Sequence, residues 1–123
     1  LVSSAQPSTI DEAVFVHRRL EALRRDGDCF VINRVRPRML PEGAVPGAPD
    51  PRLRSDLAAR LTETLSEHER LAAADEAELR RLVARCGPAH AYFRVPSFDT
   101  DVRDLPMVAQ TARALFAPAA RVA

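Results

Sequence analysis

The stretch Cys29-Phe30-Val31-Ile32-Asn33-Arg34-Val35 decides how the rest of the chain is read. Its consecutive apolar residues predict a short strand buried on both faces, the pattern of a parallel rather than an antiparallel sheet. That strand delivers an asparagine to its carboxyl end, which in open α/β sheets is where ligands bind. Working outward, Leu1-Val2-Ser3-Ser4 reads as the end of an earlier strand, and a truncated beginning is expected. Between the two strands, Ile10, Val14, His17, Leu20 and Leu23 recur at helical spacing, with Ala13 and Val16 beside them. Ser8 is the expected N-cap, Asp11 and Glu12 the first-turn carboxylates, and Asp26-Gly27 the stop. A strand, a helix and a second strand make a βαβ unit.

Beyond Val35 the chain changes character. Residues 36–50 hold Pro37, Pro41, Pro46 and Pro49 with Gly43 and Gly47, and read as a mobile surface loop or an extended connector. Asp50 as N-cap and Pro51 at the first helical position then predict a helix whose face is Leu53, Leu57, Ala58, Leu61 and Leu65. A second helix, or its continuation, carries Leu79, Leu82, Val83 and Cys86 and is stopped by Gly87-Pro88. Ala91-Tyr92-Phe93-Arg94-Val95 predicts a third strand ending at Pro96. Asp104 then caps a last helix with Leu105, Val108, Ala109, Ala112, Leu115 and Phe116 on its apolar face, and residues 118–123 are expected to fray. The order β-α-β-loop-α-α-β-α places about three parallel strands in one small α/β sheet with an open edge.

Composition narrows the function classes. At 123 residues the chain is one modest domain, and 46% hydrophobic with 28% charged residues exclude a chain disordered throughout. The net charge is +1 with both signs interspersed, so there is no electrostatic footprint for a nucleic-acid partner. All 18 basic side chains are arginine. A Walker-A loop needs a lysine on the β/γ-phosphates, so none is present. Cys29 and Cys86 are not paired in a CxxC motif, and His17, His68 and His90 are scattered, which leaves a zinc site without a sequence signature and reads the cysteines as free buried thiols. No apolar run reaches membrane-spanning length and no leader pattern is seen, so a soluble, cytoplasmic chain is expected.

Several segments in register resemble one family. Leu1-Val2-Ser3-Ser4 with Asp11-Glu12-Ala13 and Arg18-Arg19-Leu20, then Phe30-Val31-Ile32-Asn33-Arg34-Val35, is similar to the later part of the ArsA/guided-entry ATPases, where a second strand ends in V-V-N-[RQ]. Leu71-Ala72, Val95-Pro96 and Asp101-Val102-Arg103-Asp104-Leu105 look like that family's closing strand, adenine loop and last helix. The resemblance implies that residues 1–123 are the carboxyl-terminal part of an ArsA-like domain, a partial P-loop NTPase (Rossmann-like) fold. The parent protein would bind ATP with Mg and hydrolyse it in arsenite efflux or tail-anchored-protein targeting. Implied partners are the missing amino-terminal half, a second copy in a homodimer, and peripheral contact with a membrane complex. The phosphate loop, the switches and the family's metal-binding cysteine pair have no counterpart in this sequence.

On this reading the nucleotide-binding residues are Asn33, Arg34, Pro96, Ser97 and Phe98. A carboxamide donates to one edge atom of adenine and accepts from another, and in the family the matching asparagine contacts adenine. It also simply starts turns at strand ends. Arg34 can stack on a base or reach a phosphate, and Pro96, Ser97 and Phe98 can wall an adenine slot. Asp101 reads as structural, and Asp11, Glu12, Asp75 and Glu78 read as first-turn helix carboxylates rather than an acid/base pair. No catalytic constellation is present, so the chain alone is expected not to hydrolyse ATP. Two other classes compete: a non-enzymatic module that binds a partner protein through the leucine-rich helices from Leu53 to Val83, and a fragment of a different α/β enzyme.

Overall fold

Strand β2 (Cys29–Val35) is the middle of a three-stranded parallel sheet ordered β1-β2-β3, flanked by β1 (Val2–Ser4) and β3 (Ala91–Pro96). Parallel neighbours need a crossover; α1 (Pro7–Ala22) supplies the first and α2 (Ser55–Cys86) the second, and α3 (Leu105–Phe116) follows β3. The computed structural model describes residues 1–23, 29–41, 43–44, 47, 50–117 and 122. The stop expected at Asp26-Gly27 and the tail at 118–121 and 123 lie outside the described residues.

One core forms where α1 and α2 meet the sheet. Ile10, Ala13, Val14 and His17 of α1 repeat at the i, i+3, i+4, i+7 spacing of a single helix face. They close on Phe30, Ile32 and Val35 of β2, Leu79, Leu82 and Cys86 of α2, and Tyr92 of β3. Phe30 and Tyr92 stack with ring centroids 4.9 Å apart. The Tyr92 hydroxyl donates to the Gly87 carbonyl at 2.6 Å, and burial, with the Cys86 thiol beside it, pushes its pKa up to about 12. The expectation of burial on both faces is corrected: Phe30 and Ile32 are buried, but Val31 between them is only partly covered and its register partner Val2 is exposed. Both crossover helices contribute to the same core, while α3 contributes no buried residue.

Local chemistry moves several boundaries. Helix α1 starts at Pro7, not after Ser8, because proline is preorganised for the first helical position and Thr9 Oγ1 ties the entry by donating to the carbonyls of Ser4 (2.9 Å) and Gln6 (3.0 Å). Asp11 therefore lies beyond the first turn and instead receives Arg81 (2.6 Å) and Arg85 of α2. Asp50 does not cap α2. Its Oδ1 accepts from the Arg52 N–H at 2.9 Å and its carbonyl accepts from Leu53 N–H at 2.9 Å, closing an isolated turn before the helix begins at Ser55. From there α2 is continuous for 32 residues, and the Gly87-Pro88 stop holds, with Gly87 at φ 93°. The Asp104 cap holds too, its Oδ1 accepting from Met107 N–H at 2.9 Å.

The start of the proline-rich segment is anchored rather than mobile. Asp75, expected in a first turn, sits mid-helix in α2 and is buried; it accepts from the Arg36 N–H (2.9 Å) and Arg36 Nη1 (2.8 Å). Six residues earlier, buried Glu69 accepts from Arg38 Nε (2.5 Å), Met39 N–H (2.6 Å) and Leu40 N–H (3.1 Å). His68 Nε2 bonds the Pro37 carbonyl at 2.8 Å. Two carboxylates thus satisfy backbone donors that an irregular segment would otherwise leave unpaired.

Burial raises the Glu69 pKa, but the bonds from Met39, Arg38 and Leu40 outweigh it and hold the carboxyl below its ordinary 4.5. A depressed folded pKa stabilises above the unfolded value and that stabilisation is lost as pH falls through the folded one. Urea midpoints should therefore hold from neutral pH to about 4.5 and fall below it, and Glu69→Gln should flatten that acid limb. Asp75→Ala should cost about 1–3 kcal/mol by orphaning the Arg36 N–H; an unchanged midpoint would contradict the anchoring role.

Candidate functional site

A one-residue bulge builds the site. Ile32 pairs with Arg94 and Val35 with Pro96, so three steps along β2 match two along β3. Strict alternation after Phe30 and Ile32 would bury Arg34. The extra residue resets the parity, returns Val35 to the core, and leaves both Asn33 and Arg34 exposed at the carboxyl end of the strand. Arg34 adopts φ 58°, the left-handed region that L side chains rarely occupy. Its N–H donates to Asn33 Oδ1 at 2.9 Å, closing the bulge locally, and the ladder resumes where Ser97 N–H donates to the Val35 carbonyl at 2.8 Å.

All five residues singled out from the sequence line one cleft of about 700 Å³: Asn33, Arg34, Pro96, Ser97 and Phe98, joined by Val95, Thr100, Asp101, Val102 and Thr111. It opens at the carboxyl edge of the parallel sheet, between the ends of β2 and β3 and the first turns of α3. Pro96 and Phe98 are half-buried and supply apolar wall; Ser97 is exposed. Asp101 is paired with Arg103 at 2.9 Å, so its charge is answered within its own loop. Among the described residues the Arg34 guanidinium makes no hydrogen bond or ion pair, which leaves its charge available to the cleft. Asn33 Oδ1 keeps one lone pair beyond its bond to Arg34 N–H, and its amide N–H groups point to no partner among the described residues.

Next to this cleft lies a second cavity of about 450 Å³, sharing Pro96 and lined by Val35, Arg36, Arg38, Glu76, Arg94 and Ala114. It holds three arginines, yet each is neutralised: Arg36 by Asp75, Arg38 by Glu69, and Arg94 by Glu76. Arg34 is the guanidinium that differs. Val102 falls within the motif likened to an adenine loop, whereas Thr100 and Thr111 had no signal in the sequence; Thr111 joins the cleft only through the placement of α3. The apolar face expected for α3 is also rotated: Leu105, Val108 and Phe116 are exposed, while Met107, Thr111, Ala114 and Leu115 are the partly covered positions.

The donor set does not fit Mg²⁺. That ion is held by carboxylates and phosphate oxygens, and the cleft's one lining carboxylate, Asp101, is already paired. No helix among the described residues is long and apolar enough to cross a membrane. No protein-family model matches the chain, and no curated protein matches it.

The left-handed Arg34 gives a direct test of the bulge. Relief of about 1–2 kcal/mol of backbone strain against about 0.4–1 kcal/mol of added unfolded-state entropy should make Arg34→Gly as stable as the parent or slightly more so by urea denaturation. A clear loss of stability would mean that the arginine side chain holds the bulge by packing.

Proposed function

We propose that the cleft between β2 and β3 receives the base of an adenine nucleotide, and that the chain is the adenine-side part of an ATP-binding domain of the ArsA/guided-entry type. One observation carries this: residues 63 positions apart in sequence, Asn33 and Pro96, line the same cleft with Arg34, Ser97 and Phe98 at the carboxyl edge of a parallel sheet. In this reading Asn33 offers its amide donors and remaining lone pair to the base edge, Pro96 and Phe98 hold the ring faces, and Arg34 stacks on the base or meets a phosphate. The chain has no lysine to grip the β/γ-phosphates, so those contacts and the Mg²⁺ ligands would come from residues outside this sequence.

Magnitudes set what the chain does alone. A few hydrogen bonds at about 1 kcal/mol each plus one stacked base reach ~4 kcal/mol, which is roughly millimolar binding. A second reading, a helical module that docks a partner protein, is favoured by the amino-terminal half of α2, where Leu57 and Leu61 are 44% and 50% exposed instead of forming the expected buried face.

Saturation-transfer NMR with millimolar ATP should show magnetisation reaching the adenine protons, and Asn33→Ala should weaken binding about fivefold, the equivalent of one neutral hydrogen bond. No phosphate should be released by the purified chain. Chelator-sensitive ATP turnover, or an absence of any transfer to adenine, would overturn the proposal.

A further inference from the structure

The three histidines look scattered in sequence, but the fold brings two of them together. His17, on the sheet-facing side of α1, lies with its ring 4.7 Å from that of His90, which sits at the entrance to β3. One turn along α1 from His17, Glu21 places Oε1 3.4 Å from His17 Nε2. One donor atom from each of His17, Glu21 and His90 fits within a 4.8 Å span. Residues at i and i+4 share a helix face, so this pair is presented together by the backbone alone.

We propose that His17, Glu21 and His90 form a site for a divalent transition-metal ion of the Zn²⁺ class. Two imidazoles and a carboxylate are a donor set that suits zinc rather than the all-oxygen preference of Mg²⁺ or Ca²⁺. Ligands about 2.0–2.1 Å from a tetrahedral zinc stand about 3.3 Å from one another, close to the existing His17–Glu21 separation, so the remaining adjustment is a closing movement of His90 and Glu21. Glu21 is 56% exposed on its side chain and free to make it. His17 is held by the core: buried, with its ring edge-on to Phe30 at 5.4 Å. Three protein donors leave one tetrahedral position for water. The ion would clamp α1 to the start of β3, on the opposite end of the sheet strands from the Asn33 cleft, so the site is independent of nucleotide binding.

The test is a titration of chelator-stripped full chain with Zn²⁺ against a chromophoric competitor, with Co²⁺ as the spectroscopic probe. One equivalent should bind, Zn²⁺ should raise the melting temperature, and Co²⁺ should give the visible bands of a tetrahedral site. Glu21→Gln and His90→Ala lie outside the buried core and should each weaken binding at least tenfold, whereas His68→Ala, Cys29→Ser and Cys86→Ser should bind as the parent does. The proposal is overturned if no single equivalent binds, if Glu21→Gln and His90→Ala bind as tightly as the parent, or if a cysteine or His68 variant loses the ion instead.

Discussion

The carboxyl edge of the sheet is shaped by one extra residue in β2. Phe30, Ile32 and Val35 all belong to the same buried cluster, yet they are separated by two and then three positions. A regular strand cannot satisfy that spacing. The bulge between Ile32 and Val35 can, and its by-product is an asparagine and an arginine lifted out of the ladder at the end of the central strand. The cost is carried by Arg34, held at φ 58°. Strain of that kind persists only where the surroundings over-determine the backbone. Here they do so twice, through burial of Val35 on one side and the Ser97 N–H bond to its carbonyl on the other.

The segment leaving the strand is secured by α2. Buried Asp75 and Glu69 point from the helix to the backbone of Arg36, Met39 and Leu40, so the exit from β2 is held by charge-assisted hydrogen bonds rather than by apolar packing. The same carboxylates, with Glu76, neutralise the arginines of the neighbouring cavity. Of the two cavities at this end of the sheet, the one lined by Asn33 and Arg34 therefore keeps a positive charge that no ion pair among the described residues answers.

Much of the fold was legible. Apolar runs marked β2 and β3, helical spacing of apolar residues marked the packed face of α1, and Gly87-Pro88 and Asp104 marked helix ends by local chemistry that tertiary contacts do not override. What failed to be legible was set by partners distant in sequence. Asp75 and Glu69 resemble ordinary helix-surface carboxylates until the loop 30 to 39 residues away is folded onto them. Leu57, Leu61 and Leu105 obey helical periodicity, but periodicity says which residues share a face and not whether a surface exists to cover it. His17 was readable as a packed histidine; its meeting with His90 was not, because it follows from the register of α1 over β3. Strand-end position and motif resemblance together single out the five cleft residues, and their convergence on one cleft is a property of the fold.

The most direct measurement is residue-resolved: amide chemical shifts of the ¹⁵N-labelled chain followed during titration with ATP, and separately with adenosine. Both ligands should shift the same cluster, Asn33, Arg34 and Ser97 to Phe98 with Thr111, with ATP adding its largest extra change at Arg34. Shifts confined to Leu57–Leu65, or none at millimolar ligand, would contradict it.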